Sequence, residues 1–275
     1  MKKVLIIAGS DSGAGAGIQA DIRTVTAFGA YATTAITAVT AQNTSGVRGV
    51  ENISPDMIGM QVDAVLEDMG ADAVKTGMLS TAAAVKTVAV ALARHGAHPI
   101  VVDPVMVSES GHSLLDPDAV NALTGDLFSL AALVTPNLAE AAVLVGRPVA
   151  TVDEMKQAAR DILDLGPTAV LVKGGHLEGD PVDVLLDDDG YLTLTTDRVP
   201  GNGNHGTGCT FASAIASLLA LGWSLREAVI EAKAFLTDAI RQGWRAGAGV
   251  GQPDQLYGFK PTNRRESSIR VVRSL

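Results

Sequence analysis

The chain has 275 residues, of which 47% are hydrophobic and 4% aromatic, with 29 glycines and a formal net charge of −9. That length and apolar content suffice for a buried core and exclude a disordered or fibrous chain. The acidic balance argues against non-specific nucleic-acid binding, which needs a basic face that releases counterions.

The first half of the chain alternates apolar runs of strand length with longer helical patterns. In the first helix, Ile18, Ile22 and Val25 are expected to share the buried face. The predicted elements are a strand over 3–9, a helix over 15–29, a strand over 31–40 that leads into a polar loop, a helix from Ser54-Pro55, a strand over 73–77 and a helix from Ser80 to Gly96.

The second half continues this alternation, which predicts a mostly parallel sheet covered by helices on both faces. Its elements are strands over 99–105, 132–136 and 168–175, helices from Asp116-Pro117, Asn137 and Thr151, a hairpin around Asp189-Gly190, and two last helices, one after Cys209 and one from Ser224. We therefore predict one α/β domain over 1–258, followed by a polar, basic and loosely ordered tail over 259–275.

The cysteine content and the apolar segments favour the cytoplasm. The single Cys209 cannot form an internal disulfide, and no segment approaches the roughly 18 apolar residues of a membrane span. The apolar run after Lys2 and Lys3 soon ends in Gly-Ser-Asp, so it predicts a buried strand and not a signal peptide. We expect neither a membrane nor a nucleic acid as partner.

Polar or glycine-bearing residues follow most of the predicted strands. In open α/β sheets the ligand binds beyond the carboxyl ends of the strands, so these segments predict a small-molecule site. The segments are 9–11, 41–43, 75–78, 103–106, 135–137 and 173–175.

Gly206-Thr207-Gly208-Cys209 stands at the entrance of a helix. Glycines let backbone N–H groups turn toward one point and a helix N-terminus adds positive potential, so the segment predicts an anion hole for a phosphoryl group. The same potential is expected to lower the pKa of Cys209 by roughly one unit, which makes it a marginal base near neutral pH. A flexible loop before a core helix with a buried thiol is the alternative.

Carboxylates and lysines elsewhere fit the same chemistry. Asp103 and Glu140 offer oxygen ligands of the kind that Mg²⁺ takes, although a capping role explains either residue alone. Lys173 leaves a buried strand, where it can reach phosphate oxygens or lie in solvent. Lys233, on the last helix, is by itself typical of a surface residue.

Other motifs give weaker signals. GNGNHG over 201–206 fits the dinucleotide pattern G-x-G-x-x-G but follows a hairpin strand late in the chain, and no P-loop pattern is present. The five histidines lack zinc-ligand spacing. His205 lies four residues before Cys209, but no acyl-transfer signature surrounds this Cys–His pair.

Taken together, the motifs resemble those of the hydroxymethylpyrimidine/phosphomethylpyrimidine kinases of thiamine biosynthesis, within the ribokinase superfamily. GTGC stands where the superfamily generally has G-A-G-D, so Cys209 takes the place of the aspartate base, as in this branch and some bacterial pyridoxal kinases. The segment AGAGVGQPDQLYGF departs from the usual G-x-G-P-[LV] stretch. The matching segments are AGSDSGAGAGIQAD (8–21), TAQNTSGV, KTGMLS, VVDPVMV, TPNLAEA, LVKGGH, NHGTGCT and EAKAF.

The resemblance implies a ribokinase-like three-layer α/β/α fold, a homodimer, and the use of ATP and Mg²⁺. It also implies roles for individual residues. These are Gln42 on the pyrimidine edge, Gly9, Asp21, Met78 and Val105 lining the substrate pocket, Asp103 and Glu140 arranging Mg²⁺, Asn137, Lys173 and Lys233 on the nucleotide side, and Gly206, Thr207, Gly208 and Cys209 as anion hole and candidate base.

The activity implied is ATP-dependent phosphorylation of 4-amino-5-hydroxymethyl-2-methylpyrimidine and then of its monophosphate. A pyridoxal kinase is the nearest alternative, because it needs the same phosphoryl machinery and differs in the pocket around Gln42 and Met78. An NAD-dependent oxidoreductase using 201–206 and a non-catalytic metabolite-binding protein are the alternatives of a different class.

Overall fold

The computed structural model describes residues 1–106, 114, 116–200 and 205–259. Residues 201–204 of the GNGNHG motif and all but the first residue of the predicted tail lie outside this part. The strands within it are β1 (Lys3–Asp11), β2 (Tyr31–Asn43), β3 (Gly46–Asn52), β4 (Ala73–Thr76), β5 (Ile100–Val102), β6 (Leu133–Val134), β7 (Val170–Val172), β8 (Val182–Asp187) and β9 (Gly190–Thr195).

These strands form one sheet in the order β3-β2-β1-β4-β5-β6-β7-β8-β9. Pairing is parallel from β2 to β7, with Lys3 opposite Tyr31 and Val4 opposite Ala73. It is antiparallel where β3, β8 and β9 extend the two edges. Strands β5 to β7 are wholly apolar, because a parallel sheet covered on both faces buries both sets of side chains, and β4 adds Lys75 and Thr76 at its carboxyl end.

Helices cover both faces of the sheet, so the predicted three-layer α/β/α fold is confirmed. After the fourth helix the chain continues as a π-helical turn (Leu123–Leu127) and a 3-10 turn (Phe128–Leu130). The helices are α1 (Gly17–Ala27), α2 (Pro55–Asp68), α3 (Ala82–Arg94), α4 (Pro117–Ala122), α5 (Leu138–Val145), α6 (Val152–Leu163), α7 (Thr207–Ala220) and α8 (Leu225–Arg241).

Strand β1 supplies side chains to two separate apolar cores. Leu5 and Ile7 point into the core beneath α2 to α6, whereas Val4 and Ile6 point into the core beneath α1, α7 and α8. This alternation is the period of two that a strand imposes. All four side chains are fully buried, and each contributes about 1.5–3 kcal/mol to folding.

Capping residues set most helix boundaries where the sequence predicted them. Ser54 accepts a hydrogen bond from Met57 N at the start of α2, and capping boxes open α6 at Thr151 and α8 at Ser224. Thr81, one residue later than expected, caps α3.

Two local predictions are wrong. The polar segment after β2 is not a loop, since β2 runs on to Asn43 and turns back as the exposed edge strand β3. A strand open to solvent lacks the apolar run that would have marked it. Ile22 is 37% exposed, because Asp21 and Thr24 take the buried face of α1 beside Ile18 and Val25.

Candidate active site

A cavity of about 460 Å³ lies along the carboxyl edge of the sheet. Its walls come from residues at or beyond the ends of β1, β2, β4, β5, β6 and β7, together with the first turn of α7 and one face of α8. Every residue predicted for the site lines this cavity except Asp21. Those that do are Gly9, Gln42, Met78, Asp103, Val105, Asn137, Glu140, Lys173, Gly206, Thr207, Gly208, Cys209 and Lys233.

Asp21 lies behind the cavity wall, which corrects the prediction that it lines the substrate pocket. Its side chain is fully buried on the inner face of α1. Lys75 Nζ donates to Asp21 Oδ2 at 2.8 Å and Ser213 Oγ donates to Oδ1 at 2.7 Å. The carboxylate is therefore satisfied inside the protein, and its partner Lys75 lines the cavity.

The entrance of α7 points its first turn at the cavity. Gly206 is the N-cap residue, and its φ of +83° is a left-handed conformation that favours glycine. A Cβ at this position would lie 1.9 Å from Gly15 O, so only glycine lets the β1–α1 loop cross here. Gly206 makes no side-chain hydrogen bond to the first turn, and a helix N-terminus of this kind favours an anion.

The entrance of α7 meets the acidic residue that follows β5 and the one in α5 across the cavity. A Cβ on Gly208 would lie 3.2 Å from Lys173 Nζ and 3.6 Å from Asp103 Oδ2. Lys173 Nζ donates to Asp103 Oδ1 at 2.7 Å, and Thr135 Oγ1 donates to the same oxygen at 3.1 Å. Backbone amides, an ammonium group and a carboxylate thus surround one small volume, which is the arrangement that phosphoryl transfer requires.

Glu140 closes the acidic side of this volume. It forms a capping box with Asn137, whose N donates to Glu140 Oε2 at 2.7 Å while Asn137 Oδ1 accepts from Glu140 N at 2.9 Å. Burial raises the pKa of Glu140 to about 7; the Lys173 charge opposes this rise and the Asp103 charge adds to it. Two buried carboxylates that repel each other at a cavity wall form a donor set that suits a hard divalent cation.

Cys209 sits in the first turn of α7 with part of its surface open to the cavity. The predicted lowering of its pKa is wrong. Burial raises the pKa of the thiol to about 11; the Lys75 charge opposes the rise, and the charges of Asp21 and Asp103 add to it. The helix terminus is worth roughly one pKa unit, which is less than the cost of placing a thiolate among protein atoms.

Lys233 lines the far end of the cavity, but its charge has a partner. Its Nζ donates to Asp183 Oδ2 at 2.6 Å, while Asp183 Oδ1 accepts from Gly174 N at 2.9 Å. Lys233 is 7% exposed, so it is not the surface residue that its helix position alone suggests. The pair joins α8 to the turn that follows Lys173.

The other end of the cavity contains a polar network around Gln42. His205 Nε2 lies 3.0 Å from Asp11 Oδ2 and 3.2 Å from Gln42 Nε2. All three side chains line the cavity. The network joins the end of β1, the end of β2 and the residue before the α7 entrance.

Sequence reasoning missed several of the groups that shape this cavity. Lys75 and Asp11 were noticed only as polar strand ends, and Asp183 was not noticed. His205 was weighed only as a partner of Cys209, whereas its partner in the structure is Asp11. The signal for Asp11 was its position between a buried strand and a glycine-rich loop; Asp183, inside a hairpin strand, offered none.

Residues 11–254 match the family model of phosphomethylpyrimidine kinase, which is well over half of the chain. The chain belongs to the phosphomethylpyrimidine kinase family. Membership makes the protein a kinase and excludes the alternatives of an oxidoreductase and a non-catalytic binding protein.

Relatives within and beyond this family are similar over most of the chain. A hydroxymethylpyrimidine/phosphomethylpyrimidine kinase of Rhizobium meliloti is 50% identical over 250 residues, covering 90% of this chain and 94% of the relative. A bifunctional thiamine biosynthesis protein of Geobacter sulfurreducens is 48% identical over 263 residues, covering 95% of this chain but 54% of the relative. The chain therefore spans about half of the length of that bifunctional protein.

A solved structure extends the comparison to the fold. The ADP complex of Bacillus subtilis pyridoxal kinase superposes with a TM-score of 0.88 at 38% identity, covering 93% of this chain and 98% of the other. The phosphomethylpyrimidine kinase family thus shares its fold with an enzyme described as acting on pyridoxal. None of the helices in the described part of the chain is both long and apolar enough to cross a membrane.

Proposed function

We propose that this kinase transfers the γ-phosphoryl group of ATP to 4-amino-5-hydroxymethyl-2-methylpyrimidine, and then a second phosphoryl group to the monophosphate. The observation that carries the proposal is the position of Gly208, whose added Cβ would lie 3.2 Å from Lys173 Nζ and 3.6 Å from Asp103 Oδ2. A phosphoryl group in this space would meet the amides of α7, the ammonium group of Lys173 and the acidic pair, Asp103 and Glu140, at once. The names of the relatives support the choice of substrate.

The α7 entrance would hold the phosphoryl group during transfer. Gly206, Thr207, Gly208 and Cys209 would present backbone N–H groups to its oxygens, which act as an anion hole because they are fixed before the reaction. Lys173 would cancel negative charge beside them, with Asn137 and Lys233 on the nucleotide side. Lys233 acts here through Asp183 and the turn after Lys173, since its own charge is paired.

The acidic pair fits Mg²⁺. Asp103 and Glu140 line one wall, and the raised pKa of Glu140 shows a carboxyl whose charge is poorly compensated by the protein alone. Mg²⁺ bound there would neutralise phosphate charge. The residues themselves keep the pair in place, Asp103 through Lys173 and Thr135, Glu140 through the Asn137 capping box.

The acceptor would lie at the Gln42 end of the cavity. Gln42 would hydrogen-bond the heteroaromatic edge, and Gly9, Met78 and Val105 would provide its apolar walls. A Cβ on Gly9 would lie 3.2 Å from Met78 Sδ, so the glycine leaves room for the Met78 side chain beside it. The acceptor hydroxyl would then face the α7 entrance, where Cys209 is the candidate base.

A panel of alcohols tests this function. Purified protein with ATP and Mg²⁺ is expected to release ADP with the aminopyrimidine alcohol and, in a second step, with its monophosphate. The second candidate is pyridoxal phosphorylation, which the structural similarity to the Bacillus subtilis enzyme favours. A higher kcat/KM for pyridoxal than for the aminopyrimidine would replace the proposed substrate, and no ADP release with either would overturn both.

Two further properties are proposed on the resemblance alone. The protein would form a homodimer and act in the cytoplasm. Sedimentation velocity tests the first, since a mass near twice 28.2 kDa is expected and a single 28.2 kDa species would contradict it. Fractionation of the source cells tests the second.

A further inference from the structure

The Asp11 carboxylate is built to stay ionised. Its Oδ1 accepts from Gly13 N at 2.8 Å, and its Oδ2 accepts from Gly15 N at 3.0 Å and Ala16 N at 2.9 Å. Burial raises its pKa, but the hydrogen bonds from His205, Ala16 and Gly13 outweigh burial, and the pKa lies below the usual value. An ionised carboxylate has no proton to donate and acts only as an acceptor.

This acceptor decides where the His205 ring carries a proton. Nε2 of His205 lies 3.0 Å from Asp11 Oδ2, so Nε2 must be the donor in that contact. The conclusion holds for the neutral ring and for the charged ring, because both then have a proton on Nε2.

The His205 ring has little room to turn away. A Cβ on Gly15 would lie 2.2 Å from His205 Cδ2, so the ring fills the slot that this glycine leaves. The backbone N of His205 donates to Gly251 O at 3.1 Å. The segments around Gly15 and Gly251 therefore fix the position of Nε2.

The Nε2 proton in turn decides which end of the Gln42 amide faces His205. The two ends of a side-chain amide are distinguished by their hydrogen-bond partners and not by shape. Gln42 Nε2 at 3.2 Å from His205 Nε2 sets one donor against another, whereas exchanging the two ends of the amide puts an oxygen there that shares the Nε2 proton with Asp11. The oxygen end of Gln42 therefore belongs against His205.

Thr40 accommodates the same orientation. Its Oγ1 lies 3.1 Å from Ser10 O and 3.1 Å from Gln42 Oε1, the position that the amide nitrogen takes when the two ends are exchanged. A hydroxyl has one proton, and Ser10 O can only accept it. With this proton on Ser10 O, Thr40 accepts from Gln42 once the two ends of the amide are exchanged, which places the amide nitrogen on the Thr40 side.

We propose that the Asp11–His205 pair is a specificity-determining device, which holds the Gln42 amide with its nitrogen toward Thr40 and the cavity so that the pocket offers a hydrogen-bond donor there. One N–H of that nitrogen binds Thr40, and the second is left for a ligand. The ligand class that fits is an alcohol on a heteroaromatic ring with an unprotonated ring nitrogen. The inference rests on the proposed function only for the identity of that alcohol.

The protonation of His205 tests the device without reference to any substrate. In protein labelled with ¹⁵N-histidine, the His205 resonances are assigned by their loss in His205→Gln. The expected result at pH 8 is a ring with its proton on Nε2. A ring with Nε2 unprotonated would overturn the proposal, whatever the enzyme phosphorylates.

Substrate analogues test the consequence for recognition. Two monodeaza analogues of the aminopyrimidine alcohol, each with one ring nitrogen replaced by C–H, are compared with the parent by calorimetric affinity and by kcat/KM. In the wild type one analogue is expected to bind about tenfold or more weakly, because the Gln42 donor is left without an acceptor. In His205→Ala and Thr40→Val that ratio is expected to fall below about threefold.

Two controls separate positioning from general damage. His205→Gln returns a donor near the place of Nε2 and is expected to recover most of the ratio. His95→Ala removes a partly buried imidazole, outside the cavity, that contacts the carboxylate of Asp63 and is expected to leave the ratio unchanged. Equal ratios in the wild type, His205→Ala and Thr40→Val would overturn the proposal while ADP release still supports the function; absence of ADP release would overturn the function alone.

Discussion

Two lysine–aspartate pairs lie at the carboxyl edge of the same sheet, and they differ in what surrounds them. Lys75 and Asp21 are both fully buried and 2.8 Å apart, and Ser213 fills another site on the carboxylate. Lys173 and Asp103 are 2.7 Å apart, but both line the cavity, and the lysine side chain keeps 12% of its surface exposed. The first pair can only support the site, whereas the second can bind a ligand.

The difference shows that closeness of opposite charges does not by itself identify a functional group. In both pairs burial lowers the pKa of the lysine, and the neighbouring carboxylates raise it further than burial lowers it, so the net pKa is raised. The electrostatics are alike. What separates the pairs is exposed surface: Lys75 also lies at the cavity wall but its side chain is fully buried, whereas part of Lys173 is exposed. Only an exposed charge can exchange its partner for a phosphate oxygen.

Cys209 lies between the two pairs and is affected by both, so its substitution has the largest expected effect. If its thiolate accepts the acceptor proton, Cys209→Ala is expected to lower kcat by about 10²–10⁴-fold. With a pKa of about 11, the wild-type rate would rise about tenfold per pH unit between pH 6 and 9, and the variant's rate would stay flat. Steady-state ADP release over that pH range measures both.

A Cys209→Ala enzyme within tenfold of the wild type would remove the base assignment and leave the anion hole intact. Thr210→Ser, in the same helix turn, is the matched control, since its hydroxyl can still donate to Gly206 O. It is expected to keep the wild-type rate and pH profile.

Lys75→Met breaks the fully buried Lys75–Asp21 pair. It is expected to destabilise the protein by about 3–5 kcal/mol, because Asp21 is left as an unpaired buried charge. Urea unfolding measures this loss. The double variant Lys75→Met with Asp21→Leu is expected to be more stable than the single variant, since no charge remains buried. A Lys75→Met protein within 1 kcal/mol of the wild type would mean that water reaches Asp21.

Lys173→Met breaks the Lys173–Asp103 pair at the cavity. It is expected to lower kcat and to leave the stability of the fold almost unchanged. A loss of one charge from the phosphate site costs about 10²–10³-fold in kcat. The free energy of unfolding is expected to change by less than about 1.5 kcal/mol. Asp103 keeps the hydrogen bond from Thr135, and it faces the cavity, which can solvate its charge. Lys86→Met, on an exposed face of α3, is the matched control; a stability loss equal to that of Lys75→Met would erase the distinction between the pairs.

Sequence patterns could predict the sheet edge but not the difference between these pairs. Strand and helix periods placed both lysines at strand ends, and capping boxes fixed where α6 and α8 begin. Whether a charge is sealed depends on residues far along the chain: Ser213 closes off Asp21 from 192 residues away. Local sequence patterns cannot predict a contact between residues so far apart.

The same limit explains the error for Cys209. The helix entrance was predictable, and it does lower the pKa of a thiol, but burial by α1 and the sheet is a tertiary effect that outweighs it. The Gln42 network was also out of reach, because Asp11 and His205 meet across 194 residues. Residues placed by short motifs, such as Gly206 and Gly208, were found; residues placed by long-range packing were not.

Glu140 offers a smaller test of the accessible acidic side. Its pKa is about 7 in the folded protein, above the value of 4.5 for an unperturbed glutamate, so the folded state binds this proton more tightly than the unfolded state. Stability is therefore lost as pH rises from about 4.5 to about 7, by at most about 3.4 kcal/mol. Mg²⁺ is expected to restore it at pH 8.

Glu140→Gln isolates this contribution, because glutamine keeps the capping hydrogen bond to Asn137 N. The melting temperature of metal-free wild type is expected to fall more between pH 5 and pH 8 than that of the variant. Only the wild type is expected to gain stability from Mg²⁺. Parallel melting curves with and without the metal would contradict the assignment of Glu140.

The most direct measurement is the kcat of Gly208→Ala, because its methyl group would occupy the space where amides, Lys173 and Asp103 are held to converge on one phosphate. Gly208 has an ordinary backbone conformation, so the fold is expected to survive. Gly125→Ala is the matched control, with nothing within 4 Å of its added Cβ. A loss of about a hundredfold or more at Gly208, with a melting temperature and a Gly125→Ala rate like the wild type, is the predicted result; turnover within threefold of the wild type would contradict the account.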